Sequence, residues 1–399
     1  MIPPRILMVT PRRFSKVIWR CGQIEFEDLI SAIDDVDLVA PEAEQRGHGR
    51  LARQAARVAQ RLANVEISFQ PRDTSTPVAR EYELFVHYAA VPADLRLLDA
   101  VPNWRRQCKK AVCVIDECWV EHFGDDARWL ERLSQFDLVA VMFYNTVEPL
   151  QKLTGVPCVW VPAAVDTLRF FPGATPPARS IDVYAMGRRS EHSHEVLLSH
   201  ARAHNWTYLF DTIDPVHVRD GFQDHRQQLA ELVKRTRYFM ANKAKVDAPV
   251  HRGTQEEVGL RSFEGAAGGA VLLGHTPDTP SLGQLFDWPD AHVHVPFGSR
   301  EVADVIHQLD ADPERVHAIR RNNVVNSLRR HDWAQRWLLV LNTLGIAPTA
   351  RLTERLATLE RIAEGVEREG LAGAQGGSTG IRSMPSVPTA GARSTGRVY

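Results

Sequence analysis

What the chain lacks narrows it first. It has no long hydrophobic run: nothing approaches the eighteen or so consecutive apolar residues that a membrane-spanning helix needs, and the N-terminal MIPPRILMVTPRR holds only a short one. Neither a secretory leader nor a span is expected, and a cytoplasmic setting is. Its cysteines number five (Cys21, Cys108, Cys113, Cys118 and Cys158), an odd count without a CxxC pair, which argues against both a disulfide framework and a zinc site and fits a reducing compartment. Neither charge is in excess. With 48 basic and 49 acidic residues the formal charge is −1, so no global field favours nucleic acid, and any anion site must be local.

What is present is ordinary globular composition, with 44% apolar and 24% charged residues in a chain of 399. That length exceeds one comfortable core and predicts two domains with a cleft between them. The first half alternates helix-like segments with near-continuous apolar runs: RILMVT (5–10), VDLVAP (36–41), VEISFQ (65–70), YELFVHYA (82–89), KAVCVID (110–116), FDLVAVMF (136–143) and PCVWVPA (157–163). Strands covered by helices on both faces read this way, so a parallel, doubly wound sheet is predicted. After the Pro/Gly-rich FFPGATPPARS (170–180) the pattern restarts with IDVYAMG, TYLFDT, RYFMAN and AVLLGH separated by helical segments. The resulting division is an acceptor-side Rossmann-like domain over 1–172, a second over 173–345, a C-terminal helix over 346–370 and a disordered tail over 371–399, where Gly, Ser, Thr, Ala and Pro replace the apolar residues.

In open α/β sheets ligands sit outside the carboxyl ends of the strands, which singles out a few residues. IDVYAMG ends at Gly187 and is followed by Arg188 and Arg189, whose planar forks suit a diphosphate; solvated surface arginines are the plain alternative. EEVGLRSFEGAAGG (256–269) places Glu256 and Glu264 on either side of Gly259 and of a helix expected to start near Leu260. Gly259 would let the backbone approach a ligand, and the helix N-terminus would offer N–H groups to an anion. On composition alone, a capping acid followed by an exposed acid is the favoured account of the pair.

Three segments together resemble the GT-B fold glycosyltransferases of the group-1, E-x7-E type, closest to the spore-maturation-like members. They are the glutamate pair with Gly259 and Gly269, VPAAVDTLRFFP (161–172), which is similar to the interdomain segment of that family, and AMGRR, which is similar to its Gly-Arg at the first strand of the second domain. The resemblance implies two Rossmann-like domains facing a central cleft, with C-terminal helices and a tail. It also implies transfer of a sugar from a nucleoside-diphosphate sugar of the UDP or GDP type, with retention and with neither metal nor cofactor. In that reading Glu264 holds the ribose hydroxyls, Glu256 approaches the donor sugar and Arg188 stabilises the departing diphosphate, while Arg261, Glu257, Gly259 and Leu260 line the donor site. The lysine usual a few residues after the arginine is missing from SEHSHE, so Lys243 and Lys245 are substitutes, Lys243 being assigned to the donor site. Epimerisation or hydrolysis of the nucleotide sugar, or binding without turnover, are the alternatives on the same fold.

The acceptor side rests on pattern alone. His87 and the IDECWVEHF segment, with Asp116, Glu117, Trp119 and His122, are candidates at strand ends facing the crevice, to hold a small-molecule, lipid-linked or glycan acceptor; a buried His87 bonded to backbone is the plain alternative. Arg12, Arg13 and Lys16 are read as solvated rather than anion-binding. RLARQAARVAQRLA (50–63) has a basic helical face without aromatics opposite it, so docking on an anionic membrane is not favoured over solvation.

Overall fold

A computed structural model describes residues 4–13, 15, 17–41, 78–210 and 221–371. Lys16, the basic segment 50–63, the expected strand at 65–70 and the expected tail beyond Leu371 lie outside these residues.

The described chain builds two parallel sheets. The first has six strands, β1 (Ile6–Val9), β2 (Val36–Val39), β3 (Tyr82–Ala89), β4 (Cys108–Ile115), β5 (Leu138–Val141) and β6 (Cys158–Trp160), in the order β2-β1-β3-β4-β5-β6. The second has β7 (Ile181–Ala185), β8 (Tyr208–Phe210), β9 (Thr236–Met240), β10 (Val271–Gly274) and β11 (Val293–His294), in the order β11-β10-β9-β7-β8. Every pairing within both sheets is parallel. The helices that matter below are α1 (Cys21–Ile33), α2 (Glu191–His204), α3 (Phe222–Lys234), α4 (Leu260–Ala267), α5 (Val302–Asp310), α6 (Pro313–Arg330), α7 (Trp333–Leu344) and α8 (Ala350–Glu369).

Continuous apolar runs become strands because both faces of each sheet are covered. In the first sheet Met8, Leu84, Val86 and Val112 pack on one side against Phe26 and Leu29 of α1, while Leu7, Val9, Phe85 and Cys113 pack on the other against Leu95, Leu98 and Trp104. In the second sheet Tyr184, Phe239 and Leu272 meet Leu229 of α3 and Phe263 of α4, and Val183, Tyr238 and Val271 meet Leu197 of α2 and Ile306 of α5. Gly265 lets α4 lie directly on its sheet, since a Cβ there would stand 2.6 Å from the Phe239 ring. The expected pair of parallel α/β units facing a cleft is therefore the observed architecture.

The boundary expected at residue 345 differs from the packing. Helix α7 crosses back and inserts Trp333, Trp337, Val340 and Leu341 into the core of the first sheet, with Trp333 edge-on to Phe26 at 5.3 Å between ring centroids. The reason is amphipathic: the apolar face of WAQRWLLVLNTL matches the uncovered side of α1 rather than anything in the second unit. The returning chain is stitched to the outgoing one. Val165 and Asp332 form a parallel bridge, and Thr167 donates both its N–H (2.9 Å) and its hydroxyl (2.7 Å) to the Asp332 carboxylate. Among the described residues no helix is long and apolar enough to cross a membrane.

Candidate donor and acceptor site

In each sheet the strand order reverses once, between β1 and β3 in the first and between β7 and β9 in the second. Loops leaving strands at such a point diverge and open a crevice. The two crevices face each other across one cleft of about 310 Å³, lined from the first unit by Tyr88, Asp116, Glu117, Met142 and Phe143 and from the second by Gly187, Arg188, Asn242, Lys243, Lys245 and the 257–261 segment.

Arg188 reaches the cleft as expected, half exposed, with its guanidinium 2.6 Å from Asp247. Arg189 turns aside and lies over the Phe210 ring at 5.1 Å. Lys243 is buried at the cleft wall and its ammonium meets the Glu256 carboxylate at 2.5 Å. Burial alone would raise the Glu256 carboxyl, but the Lys243 hydrogen bond and the Asp278 N–H (2.7 Å) hold it below its ordinary value. Glu256 thus stands one shell behind Lys243 and is not among the residues lining the cleft. Lys245 takes another part: it pairs with Glu117 at 2.7 Å and covers the Trp119 ring at 5.1 Å, linking the two units across the cleft.

Glycine at 259 is required by the protein's own packing. A Cβ there would stand 2.6 Å from the Asn242 carbonyl oxygen, so the close backbone approach is between the loops after β9 and before α4. It brings Leu260, Arg261 and the α4 N-terminus to the cleft wall beside Lys243. Glu257, assigned to the donor site, lines the cleft and also spans the units. Its buried carboxylate accepts the Tyr144 and Asn145 N–H groups at 3.0 Å each and the Gln255 amide at 2.8 Å. Desolvation raises its pKa despite these donors.

Glu264 departs most from its expected place. It is fully buried, absent from the cleft wall, and its two oxygens are taken by Arg226 and Arg261. Desolvation would raise its pKa; the guanidinium charges of Arg261 and Arg226 more than offset this and hold it lowered. Arg226, buried on α3, also grips Glu25 of α1 in a bidentate pair at 2.9 and 3.0 Å. Glu25 accepts the Asp166 N–H at 3.1 Å as well. A chain of alternating charge, Glu25–Arg226–Glu264–Arg261, therefore runs from the first unit through the base of the second to the cleft. Arg226 and Glu25 escaped the sequence reading, because nothing in HRQQLAELVKRT or CGQIEFEDLISAI distinguishes these positions from solvated ones.

On the acceptor side Asp116 and Glu117 line the cleft as expected. Desolvation, with Glu117 adding to it, pushes the Asp116 carboxyl up to about 7, and the Tyr88 hydroxyl donates to it at 3.1 Å. His87 does not face the crevice. It lies on the opposite face of β3 from Tyr88, fully buried, with Nε2 3.2 Å from the Asp94 carbonyl, and desolvation lowers its pKa to about 4. A neighbouring position on a strand points to the other side of the sheet, which accounts for the difference. Trp119 is buried beneath Lys245, and His122 sits 3.0 Å from the His251 carbonyl, so both serve the contact between units. Arg12 is not solvated: it pairs with Glu27 and Asp28 at 2.8 Å each.

The arrangement defines a class: a two-unit α/β protein with a cationic crevice able to take a phosphorylated ligand from the second unit and a hydroxylic one from the first. Residues 182–342, covering most of that second unit, match the glycosyltransferase family described as "Glycosyl transferase-like". No curated protein matches the chain in sequence. Among solved structures it is similar to TarM of S. aureus in complex with fondaparinux, α-GlcNAc-glycerol and UDP, at 10% identity and a TM-score of 0.42, covering 65% of this chain and 55% of that one. It is also similar to a UDP-forming α,α-trehalose-phosphate synthase from Burkholderia xenovorans (9% identity, TM-score 0.47, covering 86% and 100%) and to a UDP-glucosyltransferase from Polygonum tinctorium (10%, 0.39, 91% and 99%). The chain spans about 55% of the length of the TarM structure. Likeness at these scores carries no correspondence between individual residues.

Proposed function

We propose that the chain transfers a sugar from a nucleoside-diphosphate-sugar donor to an acceptor hydroxyl, with retention and without a metal in the transfer step. The observation that carries this is the meeting of Arg188, Lys243, Arg261 and the α4 N-terminus on one wall of the cleft, within the segment that matches the glycosyltransferase family. Such a wall suits a diphosphate, since fixed cations and backbone N–H groups stabilise the charge that develops as the leaving group departs. Arg188 is assigned to that departing diphosphate. Lys243, fixed by Glu256, is the second cation, and Glu256 acts on the donor through it.

Glu264 keeps its assignment to the donor nucleotide with one physical condition. Contact with ribose hydroxyls requires Arg261 to leave Oε2, and Arg261, partly exposed at the cleft wall, is the side chain with room to do so. Asp116 is assigned to the acceptor hydroxyl. A carboxyl that titrates near neutrality accepts or returns a proton at small cost in driving force. Retention accompanies the E-x7-E resemblance.

The test is a thermal-shift screen of UDP, GDP and their sugars on the full chain, followed by mass-spectrometric detection of product with the donor that binds. A shift with a nucleoside diphosphate and glycosyl transfer from its sugar is the expected result. No shift with any of them overturns the proposal. Binding with hydrolysis or epimerisation alone, or with no turnover at all, replaces transfer by the corresponding alternative.

A further inference from the structure

The C-terminal end of α2 carries two histidines one helical turn apart, His200 and His204, and α5 brings His307 against them. Spacing of four residues on a helix places both rings on the same face. The rings of His200 and His204 are stacked at 4.0 Å between centroids, His307 meets His200 edge-on at 4.6 Å, and Trp206 closes one side at 4.7 Å from His200. One nitrogen from each of the three histidines lies within 4.8 Å of the other two. His200 Nε2 and His307 Nε2 stand only 2.6 Å apart, so one of these atoms carries a proton and the other receives it.

We propose that His200, His204 and His307 bind one divalent transition-metal ion of the zinc type, which staples α2 to α5. The donor chemistry fits. Three neutral imidazoles suit zinc, and a fourth position left to water gives a tetrahedral site. The hydrogen bonding around the ligands fits too. His204 Nδ1 donates to the His200 carbonyl at 3.1 Å, which fixes its tautomer and leaves the Nε2 lone pair as the ligating atom. Zinc–nitrogen bonds of about 2.0–2.1 Å set tetrahedral ligand nitrogens roughly 3.3 Å apart, so binding requires His200 and His307 to open by less than about 1 Å and releases the proton they share. Asp304, one turn before His307 on α5, supplies nearby negative charge.

The site is separate from the cleft. Helix α2 starts just after Arg188 and Arg189 and runs away from them, and its fourteen residues put the histidine end roughly 20 Å from its start. The ion therefore acts on the scaffold behind the loop that carries Arg188, not on the transfer step.

The experiment uses the full chain stripped with a chelator and titrated calorimetrically with zinc chloride. The expected result is uptake of one ion per chain with an affinity on the order of micromolar, together with a higher melting temperature in the presence of zinc. In the double variant His204→Gln/His307→Gln, its fold checked by circular dichroism, affinity falls at least about a hundredfold and the thermal shift disappears, at roughly tenfold or more per lost ligand. Cobalt substitution reads the geometry directly, since a tetrahedral site gives strong visible absorption that the double variant lacks. Failure to take up zinc saturably, or equal uptake by the parent chain and the double variant, overturns the proposal.

Discussion

Arg188, Glu264 and Asp116 sit in three different electrostatic settings, and each makes a separable prediction. Arg188 is solvent-facing and held by a single acid, Asp247, so it contributes little to stability. Arg188→Ala is expected to lower kcat about 10²- to 10³-fold with little change in melting temperature, as loss of one fixed donor at a developing charge does. Glu264→Ala should behave differently. It leaves Arg226 and Arg261 with uncompensated charge, and is expected to weaken nucleotide binding by calorimetry while also lowering stability. Equal, small effects from both variants contradict the assignment of roles. For Asp116 the sign follows from its raised value. The unfolded chain ionises near the ordinary 3.8 and the folded one near 7, so the stability contributed by the neutral form is complete below about pH 4 and is lost as pH rises through about 7. Urea midpoints of the parent chain should fall across that window, and those of Asp116→Asn should fall less.

Among the elements, strands were legible and their long-range partners were not. YELFVHYA is the strand Tyr82–Ala89 residue for residue, because burial on both faces imprints a continuous apolar run. The two-residue β11, with Val293 half-buried and His294 exposed, leaves no such imprint. The glutamates around Gly259 were visible as a spacing, yet what holds Glu264 was not. Arg226 stands 201 positions from Glu25, and its burial arises only when the two units meet. Gly265 within α4 lies directly on β9 and β10. Gly265→Ala should therefore cost about 1–3 kcal/mol by chemical denaturation, as overpacking against Phe239 and Leu272 does. A cost under half a kcal/mol would show that α4 can lift off its sheet.

Across the whole molecule, the two units are joined by far more than their linker. Arg226 grips a carboxylate from each unit, Glu25 from the first and Glu264 from the second, both buried. Arg226→Met removes the cation between two buried acids and is expected to destabilise the chain by about 3–5 kcal/mol, measured by urea unfolding. The joint variant Glu25→Gln/Arg226→Met/Glu264→Gln, which removes the charges together, should recover part of that loss.

The returning helix α7 has a consequence for how the chain is made. Trp333, Trp337 and Leu341 finish a core whose last strand ends at Trp160, and Leu352 of α8 joins the same cluster. At about 5–20 residues per second, the stretch from Trp160 to Leu352 takes on the order of 10–40 s to emerge from the ribosome. Throughout that interval the first sheet waits with the apolar side of α1 uncovered, which makes the nascent chain a client for holding chaperones. A product released at Asp332 keeps that surface open for good, so it should aggregate even though all eleven described strands are present.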